Sequence, residues 1–191
     1  MGRTYDSIDE RLSAWLEDQK VFFVATAPLA GDGHVNCSPK SNHGELAVLG
    51  PSTVACLDRT GSGIETVAHL RENGRVVLMF CAFDGPPRIV RLHGSGEVVE
   101  RDEPRFGQLA GNFRAESVTG SRSVIVVEVA RIADSCGYAV PLMEFSQHRR
   151  QAVEWHERRG EEGVRQYWAE KNTLSIDGLP GLTGPAGQPA A

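Results

Sequence analysis

Apolar positions recur along this chain with two different periods, and the switches between them mark its elements. Over residues 9–18, Leu12, Trp15 and Leu16, with Ile8 just before them, share one side of a 3.6-residue repeat, which predicts a helix. Val21-Phe22-Phe23-Val24-Ala25-Thr26 is short, β-branched and aromatic, the composition of a strand. A turn over 28–33 leads into residues 34–40 as its hairpin partner. There Val35 and Cys37 alternate with Asn36 and Ser38, which predicts one apolar and one polar face. Pro39 is expected to end regular pairing and turn Lys40 away from the sheet.

Residues 45–49 and 53–57 read as short strands on either side of Gly50-Pro51-Ser52. Next comes a turn with Gly61 and Gly63, then a helix with Ile64, Val67, Ala68 and Leu70 on one face. Ser62 and Glu65 have capping-box spacing, and Asn73-Gly74 is a stop signal. A strand over 76–83, a turn at Gly85-Pro86-Pro87 and a long strand over 88–100 follow, with Gly94-Ser95-Gly96 predicting a bulge or bend. Residues 104–113 suit a short helix. Residues 122–133, which contain Val124-Ile125-Val126-Val127, form the strongest strand pattern. Beyond a compact segment over 135–143, residues 144–157 and 161–171 read as charged helices, 172–182 as extended and turn-rich, and 183–191 as a disordered tail. Six or seven strands without βαβ repetition predict an antiparallel β-barrel with peripheral helices, a mainly β (α+β) fold, with a sandwich as the alternative. The expected organisation is one domain over 1–182 followed by the tail.

Length and composition narrow the function classes. A chain of 191 residues with 40% hydrophobic and 24% charged residues fits one soluble domain. A net charge of −5 gives no electrostatic support for nucleic-acid binding. No apolar run reaches membrane-spanning length, and the polar N-terminus lacks a signal-peptide core, so a cytoplasmic location is expected. Cys37, Cys56, Cys81 and Cys136 form no metal-binding spacing. The first three are expected to be reduced core thiols, whereas Cys136 lies in a polar turn.

The start of the helix after Gly63 is the candidate chemical site. Arg59, Thr60 and Ser62 stand beside backbone N–H groups at a helix N-terminus, an arrangement that suits a phosphate, although many such helices bind nothing. A P-loop is excluded because no lysine follows the glycines. A dinucleotide fingerprint is excluded because Thr66 stands at its third glycine position.

The ordered set Val35-Asn36-Cys37-Ser38-Pro39-Lys40, Asp58-Arg59-Thr60-Gly61-Ser62-Gly63, Asn73-Gly74-Arg75, Gly85-Pro86-Pro87-Arg88 and Arg91-Leu92-His93-Gly94 resembles the pyridoxamine 5′-phosphate oxidase-like family over roughly residues 8–140. The resemblance implies a split barrel that binds FMN at a homodimer interface. It places Val35, Asn36, Cys37, Ser38 and Lys40 beside the isoalloxazine, and Asp58, Arg59, Thr60, Ser62, Gly63 and Thr66 around the phosphate. Arg88 and Arg91 would approach from the long strand of a partner subunit. Glu65 and Thr66 occupy the places where oxidases of this family carry an Arg-Lys pair, so Arg59 or Lys40 is expected to supply the positive charge.

The function this implies is an FMN-dependent oxidoreductase acting on a small organic substrate. Ser38, Lys40 and Tyr138 are the side chains to look for near the flavin, and Tyr138 is the candidate substrate contact; the ordinary reading of Tyr138 is a half-buried tyrosine. Two alternatives stay open. One is a non-catalytic flavin-binding or stress-related module. The other is an F420-dependent reductase, which would use Lys40, Arg59, Arg71 and Arg75 as a basic groove.

Overall fold

A computed structural model describes residues 2–41 and 43–184. In chain order the elements are β1 (Thr4–Tyr5), α1 (Glu10–Asp18), β2 (Val21–Thr26), β3 (Asn36–Ser41), β4 (Leu46–Gly50), β5 (Thr53–Arg59), α2 (Glu65–Asn73), β6 (Arg75–Cys81), β7 (Ile89–Glu100), α3 (Pro104–Ala110), β8 (Ser121–Ser135) and α4 (Gln151–Lys171). Seven strands pair antiparallel in the order β3-β2-β6-β7-β8-β5-β4, with β1 added to β8. The sheet curls into a half-barrel with β3 and β4 at its two ends.

The curl follows from the two longest strands. Register shifts between His93 and Gly94 where β7 meets β8, and a Cβ on Gly94 would come within 2.0 Å of the Glu128 carbonyl oxygen. Only glycine permits that approach, so the predicted bend falls where the sequence placed it. The concave side then collects Phe22, Val24, Val54, Leu78, Phe80, Val90, Leu92, Ile125 and Val127, joined by Leu12 and Leu16 of α1. Asp9 caps α1 by accepting from the Leu12 N–H, and Gly74 ends α2 in the left-handed conformation at φ 70°.

Five expectations need correction. Pro39 stays inside β3, opposite Phe23; β3 is an edge strand, so the missing N–H breaks no ladder. The facing of β3 is inverted: Asn36, Ser38 and Lys40 are half-buried, and Cys37 is exposed. The inward polar groups have partners across the barrel, described below, so no apolar face is required. Ser62 does not cap α2, because Ile64 occupies the N-cap and offers no acceptor. Residues 144–150 are not helical. Helix α4 runs over Gln151–Lys171 and is kinked at Gly160, whose φ of 66° breaks the pattern. Finally, Thr183 and Gly184 are tied down, their N–H groups donating to Glu100 at 2.8 and 3.0 Å. The remainder of the tail expected to be disordered, residues 185–191, lies outside the described residues. Among the described residues no helix is long and apolar enough to cross a membrane.

Candidate functional site

Asp58, at the end of β5, is a fully buried carboxylate. Lys40 of β3 donates to its Oδ1 at 2.7 Å and Arg122 of β8 to its Oδ2 at 2.7 Å, with the Ser123 hydroxyl at 3.3 Å. Burial alone would raise this carboxyl, but Arg122 and then Lys40 outweigh it and hold Asp58 well below the usual carboxylate range. The hub joins β3 to the β5–β8 side, across the two ends of the sheet. It also fixes two cations on one wall of a cavity of about 470 Å³, a volume ordinary for a small-molecule site.

The floor of that cavity is the start of α2. Ser62, Gly63, Glu65 and Thr66 line it, and the N-cap side chain makes no hydrogen bond to the first-turn N–H groups. A helix N-terminus without a side-chain cap presents free donors and positive potential. The preceding loop is held rigidly. Thr60 donates to the Gly120 carbonyl through its N–H (2.8 Å) and its hydroxyl (2.7 Å), and that hydroxyl accepts from Trp168 Nε1 at 2.7 Å. The Gly61 carbonyl accepts from Asn172 Nδ2 at 3.0 Å and from Arg122 at 3.3 Å. Glu65 folds back over Gly63, where a Cβ would lie 2.3 Å from its carboxylate, and accepts from the Ile176 N–H at 3.2 Å.

Beside the floor is a chain of polar contacts. Ser38 donates to Asn36 Oδ1 at 2.9 Å, and Asn36 Nδ2 donates to Thr66 at 2.9 Å and to Thr26 at 3.1 Å. Thr26 in turn meets Nδ1 of the fully buried His69 at 3.0 Å. Asn36 thus ties β3 to α2 and orients Thr66, rather than standing free for a ligand.

The expected residues divide accordingly. Ser38, Lys40, Arg59, Thr60, Ser62, Gly63 and Thr66 line one cavity, with Asp58 beneath it. Arg59 is on the wall, but its donors are engaged by Glu45 (2.9 Å), the Thr119 carbonyl (2.7 Å) and the Ser117 carbonyl (2.7 Å). Val35 and Cys37 face outward. Arg88 lies elsewhere, 2.9 Å from the Tyr5 hydroxyl and over the Trp15 ring, while Arg91 donates to Ser135 at 3.1 Å. Tyr138 is 82% exposed rather than half-buried, since the segment after β8 runs along the surface. The four basic residues of the expected F420 groove are not brought together. Arg71 pairs with Glu100, Arg75 donates to the Pro28 carbonyl at 3.1 Å, and neither reaches the cavity.

Several lining residues were not anticipated. Arg122 carries the clearest signal, a charge set directly against the most apolar run in the chain. From the segment before α4 and its first turns come His148, Arg149, Ala152, Val153 and His156. Val153 and Ala152 stand three and four positions before His156, the spacing of one helical face. His148 stacks on His43 with ring centroids 4.6 Å apart; burial, then His43 and Lys20, lower its pKa. Among the described residues no group of three or more His, Cys, Asp or Glu is placed to hold a metal ion.

The family model for pyridoxamine 5′-phosphate oxidase matches residues 8–136. The chain is 40% identical over 194 residues to the pyridoxamine 5′-phosphate oxidase family protein ustO of Aspergillus flavus, spanning 93% of this chain and 77% of that protein. The solved structure of a HupZ variant from Group A Streptococcus superposes with a TM-score of 0.51 at 19% identity. The match covers 67% of this chain and 99% of that one, a likeness of fold.

Proposed function

The chain belongs to the pyridoxamine 5′-phosphate oxidase family, and from that premise we propose that it is a flavin-binding oxidoreductase that seats the phosphate of FMN at the start of α2. The observation that carries this reading is the meeting of an uncapped helix N-terminus with Lys40 and Arg122 in one cavity. The fit is good on the cationic side: Lys40, Arg59, Arg122 and Arg149 line the cavity with three histidines, against Glu45, Glu65 and Glu116. Glu65, where the family's oxidases carry part of a basic pair, lies over Gly63 on the cavity floor and accepts from the Ile176 N–H, so it is a repulsive charge that the cations must outweigh.

A bound flavin would supply hydride or electron transfer, and the protein would supply orientation and electrostatics. Lys40 and Arg122, already fixed by Asp58, would meet the phosphate without losing side-chain freedom on binding. Thr66, oriented by Asn36, would add a hydroxyl contact. Ser38 and Lys40 on the inward face of β3 would border the ring system. The outward-facing Val35 and the exposed Tyr138, Leu142, Met143 and Phe145 are apolar surface that a homodimer would cover, and through it Arg88, Arg91 and Tyr138 of one subunit could serve the other's site. A cytoplasmic location and a small organic substrate belong to the same proposal.

The test is the visible spectrum of the purified protein and the identity of any cofactor released from it. Bound FMN supports the reading, and reduction by NADPH or NADH then separates an oxidoreductase from a passive flavin module. A colourless protein that takes up neither FMN nor F420 would remove both enzyme readings.

A further inference from the structure

His156 of α4 is 2% exposed, yet neither of its ring nitrogens has a hydrogen-bond partner. It lines the cavity beside Thr60, Gly61 and Ser62. A neutral imidazole carries one donor and one acceptor, and burying both unsatisfied is unfavourable unless something in the cavity completes them. The ring is seated with care. Gly120 has φ 76°, and a Cβ there would stand 2.3 Å from Nδ1, so glycine is needed on two counts. The Gly120 carbonyl is fixed by both Thr60 donors, and Trp155 meets the imidazole edge-on at 5.2 Å. An apolar side chain would fill this space at no polar cost, so the choice of histidine points to a ligand.

We propose that His156 is an anion-contacting residue supplied by the C-terminal segment: its imidazole N–H donates to a phosphoryl oxygen bound in the cavity, making α4 a wall of the site. Burial and then Arg59 lower the pKa of His156, so without an anion the ring is the neutral donor. The residue lies beyond the segment matched by the family model, residues 8–136, and adds a contact to the barrel's own. The inference rests on the phosphate-site reading for its ligand, but its test does not depend on a flavin.

Affinities of the full chain for FMN and riboflavin, read by flavin fluorescence, are compared with those of His156→Phe and His156→Gln. Phe keeps the ring and removes the N–H; Gln restores a donor. The expected result is FMN affinity weakened about tenfold or more in His156→Phe, the loss of one good polar contact. Riboflavin affinity should be unchanged, and FMN affinity partly restored in His156→Gln. In parallel, inorganic phosphate is titrated into the wild-type chain while the His156 ring signals are followed by NMR, a readout that needs no variant to fold. A saturable shift is expected. FMN affinity unaltered in His156→Phe, or ring signals unmoved by phosphate, overturns the proposal. If the wild type binds no FMN but phosphate still shifts the ring, the flavin reading fails and the anion contact stands.

Discussion

Replacing Asp58 by Asn removes one charge and almost no volume from the centre of the site, leaving Lys40 and Arg122 without their shared counter-ion. One of the two 2.7 Å charge-assisted hydrogen bonds is lost, because the Asn amide nitrogen cannot accept, and the other keeps only a neutral acceptor. At about 1.5–3 kcal/mol for the lost bond and about 0.5–1.5 kcal/mol for the weakened one, these amount to roughly 2–4.5 kcal/mol. Breaking a buried pair by removing one partner costs about 3–5 kcal/mol, so a loss of ~3–5 kcal/mol is expected. For a chain of this size that lowers the thermal midpoint by about 6–20 °C. Circular dichroism melts at neutral pH would measure it, with Lys40→Met as the comparison. That variant loses one bond, costs about 1.5–3 kcal/mol, and leaves Asp58 on Arg122. The pH dependence has a definite sign. The folded carboxyl titrates below its unfolded counterpart near ~3.9, so the stabilisation is complete above that value and is lost as the pH falls toward the folded one. The gap between wild type and Asp58→Asn should therefore narrow below about pH 4. A variant within about 1 kcal/mol of wild type, or a gap that persists undiminished into acid, would refute the role given to the hub.

Three further outcomes follow from the same contacts. Ellman's reagent should titrate two thiols in the folded chain, Cys37 and Cys136, and all four after denaturation; Cys56 is buried, and burial pushes its thiol up to about 12. Gly120→Ala should destabilise by about 1–3 kcal/mol in urea unfolding, because an L-residue at φ 76° is strained and its Cβ would strike the His156 ring. His34 donates its backbone N–H to Asp177 at 2.8 Å and brings its Nδ1 to the same carboxylate at 2.6 Å, pinning the segment after α4 to the β2–β3 hairpin. The hydrogen bond to Asp177 raises the His34 pKa, so this restraint is complete below the ordinary histidine value and is lost as pH rises through the folded one. Hydrogen-exchange protection of Ser175 and Gly181, corrected for intrinsic rates, should fall in the wild type as the pH rises above the ordinary histidine value and be flat in His34→Gln.

What could be read from the sequence was local. Strand β2, the apolar stripe of α1, the stop at Gly74 and the bend at Gly94 depend on neighbours within a few residues, and each appears where its pattern placed it. What could not be read depends on partners far away in the chain. The polar face of β3 turns inward because Lys40 meets Asp58 and Asn36 meets Thr66, 18 and 30 residues on. Cys37 is outside for the same reason. Arg59 looked like the phosphate's cation beside its glycine turn, but the loop around residues 117–119 consumes its donors. Arg122 and His156, 64 and 98 positions from Asp58, reach the cavity only once β8 pairs with β5 and α4 folds back over Gly120. At the cavity beside the start of α2, Lys40 is one of the two cations expected from the sequence, and Arg122 stands beside it where Arg59 was expected.

The central claim, that this cavity holds a flavin phosphate, is tested most directly by the ratio of riboflavin to FMN dissociation constants for the wild-type chain. The two ligands share the ring and the ribityl chain and differ only in the phosphate. One charge-assisted contact is worth at least about 1.4 kcal/mol, a factor of about ten. FMN binding at least tenfold tighter than riboflavin is the predicted result; equal affinities, or no binding of either, would contradict it.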